Sequence, residues 1–356
     1  MSNYIELNGK IAFHPGYYLK EIIEESGLTQ EDFARRLGTT PKNISVLVHG
    51  EQSLSIDIAS KLSRMLGTSV QYWLNIQQSY DEMVAERLSF EELKREREVF
   101  KHIDYKYFRE NFGLPNYPRK VDLQIEATRE KLGVSSLSVL KEEDLAVNFR
   151  SSTNNLSESN IINANVMVQI AINETLKADL PKYNKKKFEN AVEFALTQTK
   201  NHEGFLPLVS RAFNDAGVML VVLPNLKNSG INGATKKVGS NIMLMVNDRR
   251  HYADTFWFTM LHEAGHILNG DYGITVEGSE EGADEFAKNK LIPPEAFELF
   301  IEHNKIYNVY NIKEFADSIN QDPGIVYGRL QKEGKIPFSE TNMAYVLRHT
   351  YNVVTH

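Results

Sequence analysis

The chain has 356 residues, no cysteine, and 40 Lys+Arg against 47 Asp+Glu for a formal net charge of -7. At roughly 100–200 residues per domain this length favours two or three units, each able to bury its own core. The missing cysteines exclude disulfides, a thiol nucleophile and any zinc site built from thiolates, and the mild acidity excludes a protein that coats nucleic acid by bulk charge.

The opening MSNYIELNGKIAF lacks the apolar core of a signal peptide, and no stretch reaches the roughly 18 apolar residues of a membrane span, so a cytoplasmic location is expected. Short helices divided by tight turns follow over residues 1–90. Pro15 opens a helix that runs to Gly27, with Tyr18, Leu19, Ile22 and Ile23 on one buried face. Thr29 caps a second helix through Phe33, Ala34 and Leu37, ended by Gly38. Thr40-Pro41 opens a third through Ile44, Leu47 and Val48, and a fourth runs from near Ser55 to Gly67. Two helices of about eight residues joined by Gly38-Thr39-Thr40 have the form of a helix-turn-helix.

The run from His14 to about Gln77, with its TQxxxAxxxG core and trailing YWLNIQ, resembles the XRE-type helix-turn-helix domain of HigA-like antitoxins. In this motif the second helix enters the major groove with its early residues, which here are Pro41, Lys42, Asn43 and Ser45, while Gln30 is placed for a phosphate contact. Lys42 can donate to guanine and Asn43 can pair with an adenine edge. Residues 1–90 hold eight Lys/Arg against eleven Asp/Glu, so Arg35, Arg36, Lys42, Lys61 and Arg64 must gather on one face for operator binding. A homodimer reading two half-sites is the natural geometry.

Residues 91–200 are expected to form a helical connector region, mixed in charge at first and without a chemical motif. Residues 201–356 change pattern: VMLVVLP, introduced by Gly217 and ended by Pro224, and NIMLMVND (Asn241 to Asp248) are strand candidates separated by a Gly-rich connection through Gly230, Gly233 and Gly239, and DTFWFTMLHEAGHILNG is an apolar helix. The NIMLMVND strand is a candidate edge for an extended peptide. The fold class expected for the whole is mainly α with a small β-sheet, α+β.

Within the apolar helix lies His262-Glu263-Ala264-Gly265-His266, the HExxH pattern. Residues four apart share a helical face one turn from each other, so both imidazoles reach one ion without bending the backbone. Glu263 sits beside the ion, where a carboxylate can accept a proton from water and pass it to a leaving amine. In a chain without cysteine a third ligand must be His, Asp or Glu, and Glu280 can supply a carboxylate, with Glu281 as its serious competitor and Glu285 as another. Asp284, one turn after Glu280, is spaced to orient a ligand histidine through its other ring nitrogen. Two imidazoles and one carboxylate on such a helix are typical of catalytic Zn2+. Tyr327, Arg329 and His349 are donor types suited to a developing oxyanion.

The segment WFTMLHEAGHIL followed by ExxADxFAxxxLIP is similar to the ImmA/IrrE family of zinc metallopeptidases, and the similarity extends to VNFRSS, AGVMLVVLP, NDRRHYADTFWF and EFADSINQDPGIVYGRLQKEGKIP. Gln321-Asp322-Pro323 replaces the usual VSP-like turn. The resemblance implies a zincin-like metallopeptidase domain, zinc on His262, His266 and Glu280, and Glu263 as the catalytic carboxylate. It implies a DNA-binding regulator with an endopeptidase that acts on a protein or peptide, such as a repressor or a toxin partner. The alternative from another class is an antitoxin or transcription factor whose peptidase-like domain senses or binds a partner without turnover.

Overall fold

The computed structural model describes residues 3–142, 157–276 and 281–351, which divide into a unit ending at Arg95 and a unit beginning at Glu96. The VNFRSS segment and Glu280 lie outside the described residues. Among the described residues no helix is long and apolar enough to cross a membrane.

The first unit opens with a hairpin of β1 (Tyr4–Leu7) and β2 (Lys10–Phe13), paired antiparallel. Its loop is Asn8-Gly9 with φ of 52° and 74°, the left-handed pair that a two-residue turn needs to match strand twist. Then come α1 (Pro15–Ser26), α2 (Gln30–Leu37), α3 (Pro41–Val48) and α4 (Ile56–Leu66). Thr29, Thr40 and Ser55 each accept a backbone N–H of the helix they open, from Asp32, Asn43 and Ile58. Leu19, Phe33, Ile44, Leu47, Leu62 and Trp73 are fully buried together. Helices α1 and α3 cross closely, since a Cβ on Gly16 would lie 1.9 Å from the Leu47 carbonyl oxygen. A long helix, α5 (Val70–Phe100), follows.

The second unit contains α6 (Tyr105–Phe112), α7 (Val121–Leu132), a 3₁₀ turn at Leu137–Lys141, α8 (Glu158–Lys177), α9 (Lys185–Leu196) and α10 (Phe205–Asp215). Its sheet comprises β3 (Val218–Leu223), β4 (Ile231–Val238), β5 (Asn241–Asn247) and β6 (Gly273–Val276) in the order β3-β5-β4-β6. Strands β3 and β5 are parallel and the other pairs antiparallel. Helix α11 (Ala253–Asn269) carries the HExxH residues and lies on one face of the sheet. Ile242, Leu244 and Val246 share a core with Trp257, Met260, Leu261 and Ala264. Met243 and Met245 alternate to the other face, where α8 packs. Helices α12 (Glu281–Leu291), α13 (Pro294–His303), α14 (Val309–Ser318), α15 (Pro323–Lys332) and α16 (Asn342–Leu347) complete the unit.

Two expectations are corrected. The Gly-rich connection is largely strand β4, because its small residues fit a strand pressed between β5 and β6. NIMLMVND is not an edge: β5 is paired on both sides, and the sheet's edges are β3 and β6.

Helix residues 158–177 are tied to their surroundings by asparagine amides. Asn165 Nδ2 donates to the carbonyls of Leu140 and Glu142 at 3.0 and 2.9 Å, and Asn173 Nδ2 donates to that of Leu132 at 2.8 Å. On the far side of α11, a Cβ on Gly328 of α15 would lie 2.5 Å from Asp254 Oδ2, whereas one on Gly282 of α12 would meet nothing within 4 Å. Gly328→Ala is therefore expected to lower stability by about 1–3 kcal/mol through overpacking. Gly282→Ala is expected to raise it by about 0.5–1 kcal/mol through helix propensity. Denaturant unfolding of the full-length protein in a Trp73→Phe background, followed by Trp257 fluorescence, checks both signs.

Candidate metal centre and nucleic-acid interface

Helix α11 must carry polar groups inside an apolar environment, and it does so with carboxylate partners. His262, Glu263 and His266 are 4%, 0% and 5% exposed. His262 Nδ1 lies 2.8 Å from Asp284 Oδ1 on α12, and His266 Nδ1 lies 3.1 Å from Asp271 Oδ2 in the turn after the helix. A carboxylate at Nδ1 accepts the ring N–H from there, fixing the tautomer and placing the lone pair on Nε2. The two Nε2 atoms are 3.0 Å apart. Two lone pairs converging on one point form a donor set that a cation accepts. Their separation is near the roughly 3.3 Å edge of a tetrahedron with zinc–nitrogen bonds of about 2.05 Å.

The surroundings fix this arrangement. Gly270 adopts φ 73° and ends the helix, the Asp271 backbone N–H donates to the His266 carbonyl at 3.0 Å, and the Asp271 side chain thereby comes back under the ring. A Cβ on Gly265 would be 2.9 Å from the Phe286 ring, so α12 approaches α11 closely enough for Asp284 to reach His262. A Cβ on Gly233 of β4 would be 2.6 Å from Glu263 Oε1. The Glu263 carboxylate thus lies against the backbone of β4, one residue around the helix from His262.

The structure brings His262, Glu263, His266 and Asp284 together. Among the described residues no group of three metal-ligating side chains is present, and the expected third ligand Glu280 is outside them. The donor set nevertheless fits zinc: His262 and His266 present Nε2, and each has its Nδ1 on a carboxylate. Sequence reasoning missed Asp271, although NGD immediately after the helix carries the cap-and-return signal. The proposed oxyanion donors are engaged elsewhere. Tyr327 OH donates to the Glu340 carbonyl at 2.7 Å and burial pushes its phenol up to about 12. Arg329 Nη1 donates to the carbonyls of Lys288 and Ile292 at 3.3 and 2.9 Å, and the His349 ring stacks on His202.

In the first unit Gln30 and Lys42 are exposed, and Asn43 and Ser45 are half-buried. Asn43 Nδ2 donates to Thr39 Oγ1 at 2.9 Å, and the Ser45 carbonyl is 2.7 Å from His49 Nδ1. Arg35 is paired with Glu31 at 3.3 Å and Asp32 at 3.7 Å, and Lys61 with Asp57 at 2.8 Å. Among the described residues Arg36, Lys42 and Arg64 have no ion pair, Arg64 Nη2 donating only to the neutral Ser60 Oγ at 3.2 Å, so these three hold the uncompensated positive charge of the motif.

Comparison with known proteins covers both units. The helix-turn-helix family matches residues 19–73, and the IrrE N-terminal-like domain of the M78 peptidases matches residues 216–317. The chain is 35% identical over 80 residues to the uncharacterized HTH-type transcriptional regulator YddM of Escherichia coli (strain K12), covering 22% of this chain and 85% of that protein. An addiction module antidote protein of the HigA family from Coxiella burnetii is 27% identical with a TM-score of 0.22, over 24% of this chain and 92% of its own. A Pseudomonas aeruginosa protein solved with its operator DNA is 28% identical with a TM-score of 0.22, over 24% of this chain and 90% of its own. The chain is a DNA-binding regulator of the helix-turn-helix family. Its second unit carries an IrrE-like peptidase-family domain.

Partners at Nδ1 of a ligand histidine typically change metal affinity 10–100-fold. Asp284→Ala and Asp271→Ala are each expected to weaken Zn2+ binding by about that factor, measured by competition with a chromophoric chelator. Unchanged affinity in both would remove the assigned roles.

Proposed function

We propose that the second unit is a zinc-dependent endopeptidase that acts on a protein partner of the regulator. The observation that carries this reading is the pair of Nε2 atoms 3.0 Å apart, beside a buried glutamate held against β4. His262, His266 and the carboxylate of Glu280 would hold the ion. When bound, zinc supplies polarisation of the scissile carbonyl and a lowered pKa for water.

The remaining chemistry belongs to the chain. Glu263 takes the proton from the attacking water and delivers it to the amine nitrogen as the peptide C–N bond breaks. Asp284 and Asp271 keep the imidazoles in the tautomer that leaves Nε2 to the ion. A pure binding role has no need of Glu263, a buried carboxylate placed beside the imidazole pair. Candidate substrates are a repressor or toxin made alongside this protein.

Glu263→Gln is expected to keep Zn2+ and to lose cleavage of the neighbouring-gene product by about 10²–10⁴-fold. Mass spectrometry of the partner after incubation with parent and variant reads the outcome. Equal effects of parent and variant on the partner would instead favour a sensor without turnover.

For the first unit we propose operator binding as a homodimer, with α3 in the major groove. Lys42 and Asn43 read base edges, Gln30 meets a phosphate, and Ser45 follows on the same helix. The Asn43 amide must leave Thr39 to reach a base. Each specific pairing of this type contributes about 1–3 kcal/mol. The Lys42→Ala, Asn43→Ala double variant is expected to bind its own promoter about 10²-fold more weakly. Fluorescence anisotropy on the promoter fragment checks this, and parent-like affinity sinks the assignment of the reading residues.

A further inference from the structure

A groove of about 820 Å³ opens between the C-terminal end of α5 and the loop that leads into α7, and His262, Glu263 and His266 do not line it. Its lining lies wholly within the second unit. The site proposed here does not depend on the peptidase reading.

Six of the lining residues are charged: Arg97, Lys101, Arg119 and Lys120 against Glu98 and Asp122. These are guanidinium, ammonium and carboxylate groups, so the sign of the groove does not hang on a histidine. Both carboxylates are engaged. Asp122 accepts both arms of Arg97, at 2.8 and 2.7 Å, which ties the end of α5 to the start of α7, and Lys101 Nζ donates to Glu98 Oε2. Arg119 and Lys120 have no side-chain hydrogen bond or ion pair among the described residues, and both are exposed. The groove therefore keeps two uncompensated positive charges. Beside them the wall is apolar: Val121 and Leu123, in the first turn of α7, are 42% and 38% exposed, and Phe100 of α5 lines the same groove.

Local sequence works against the fold at these two cations. Arg119 holds φ at 62°, a conformation suited to glycine or asparagine and unfavourable for a long side chain. Lys120 stands at the N-cap of α7 and makes no side-chain cap bond, where Ser, Thr, Asp or Asn would satisfy a backbone N–H. Two consecutive exposed residues that break local rules, with no contact inside the fold to compensate, mark a surface that serves something outside it. We propose that this groove docks an acidic peptide segment of a protein partner, with its carboxylates on Arg119 and Lys120 and its aliphatic side chains against Val121 and Leu123. A nucleic acid fits less well. Single strands are held by stacking on exposed rings, and Phe100, the one ring among the described lining residues, is 8% exposed. A duplex offers phosphates to the cations and no aliphatic group to Val121 and Leu123.

The test uses the full-length protein at low ionic strength, where surface charge is least screened, and reads fluorescence anisotropy of a fluorescein-labelled octapeptide, Gly-Asp-Leu-Glu-Asp-Leu-Glu-Gly. One analogue carries Ser and Gln in place of Asp and Glu, and a second carries Ser in place of Leu. The expected result is saturable one-to-one binding, weakened about tenfold or more without the carboxylates and about threefold or more without the leucines. Arg119→Asn with Lys120→Ser removes both charges while suiting the left-handed φ and supplying a cap, so the fold is retained, and a thermal midpoint no lower than the parent's checks this. This double variant is expected to bind the octapeptide about tenfold or more weakly, and Arg119→Lys with Lys120→Arg within about threefold of the parent. Removing two charges from α9, outside the groove, with Lys186→Ser and Lys187→Ser is expected to change affinity by less than about twofold. The proposal is overturned if binding does not saturate, if either analogue binds as tightly, if the Asn and Ser double variant binds like the parent, if the charge-preserving pair binds as weakly as that variant, or if the α9 control loses as much. A twelve-nucleotide oligothymidylate whose affinity falls more than the peptide's in the double variant would make the groove a nucleic-acid surface and overturn it as well. None of these readings requires Zn2+ or cleavage.

Discussion

The burial of two imidazoles and a carboxylate on a helix whose other faces are core is the constraint on which the second unit is built. His262, Glu263 and His266 are at most 5% exposed, and groups of this kind are costly to bury without partners. Asp284 and Asp271 meet that cost for the two rings from opposite directions, one from a neighbouring helix and one from the turn that ends α11 itself. They differ in exposure, at 34% and 60% of the side chain. The Asp284 contact is therefore the less screened of the two, and it depends on where α12 sits. Placement of α12 is in turn set by the Gly265–Phe286 approach.

Much of this was legible in the sequence, for identifiable physical reasons. The caps Thr29, Thr40 and Ser55, the prolines at helix starts and the terminal glycines are local signals, and each acts locally in the structure. The HExxH spacing is local too, since four residues make one turn. What was not legible depended on tertiary pairing. INGATKKV has little strand character alone, and it is a strand because β5 and β6 flank it. NIMLMVND looks the same whether at an edge or in the middle, so only the sheet order reveals that it is internal. The Asn8-Gly9 turn of the β1–β2 hairpin is likewise a local signal, a pair of residues suited to left-handed φ.

Charge in the first unit shows the same division between composition and contact. Eight Lys/Arg among residues 1–90 permit a basic face, but the positions of their partners decide which charges remain. Arg35 is shared between Glu31 and Asp32 one turn away, and Lys61 pairs with Asp57. Such exposed pairs contribute about 0–1 kcal/mol each, and a phosphate can compete for the same cations. Arg36, Lys42 and Arg64 face no such competition. Selectivity in a motif of low net charge therefore depends on geometry at the start of α3 more than on field strength.

Three glycines show why α11 can serve as the pivot of the unit. A side chain at Gly233 would strike Glu263, one at Gly265 would strike Phe286, and one at Gly328 would strike Asp254. The sheet, α12 and α15 thus approach α11 to backbone distance on three sides. Close packing of this kind transmits displacement, because interiors at crystal-like density have no slack to absorb it. Helix α8 supports the same sheet from behind: it packs on β3, β4 and β5 and is itself tied to preceding carbonyls by Asn163, Asn165 and Asn173. The stretch that the sequence marks only as a helical connector is therefore part of the frame that holds β4 against Glu263. A change in α8 that shifts β4 by a few tenths of an ångström moves the surface on which that carboxylate rests.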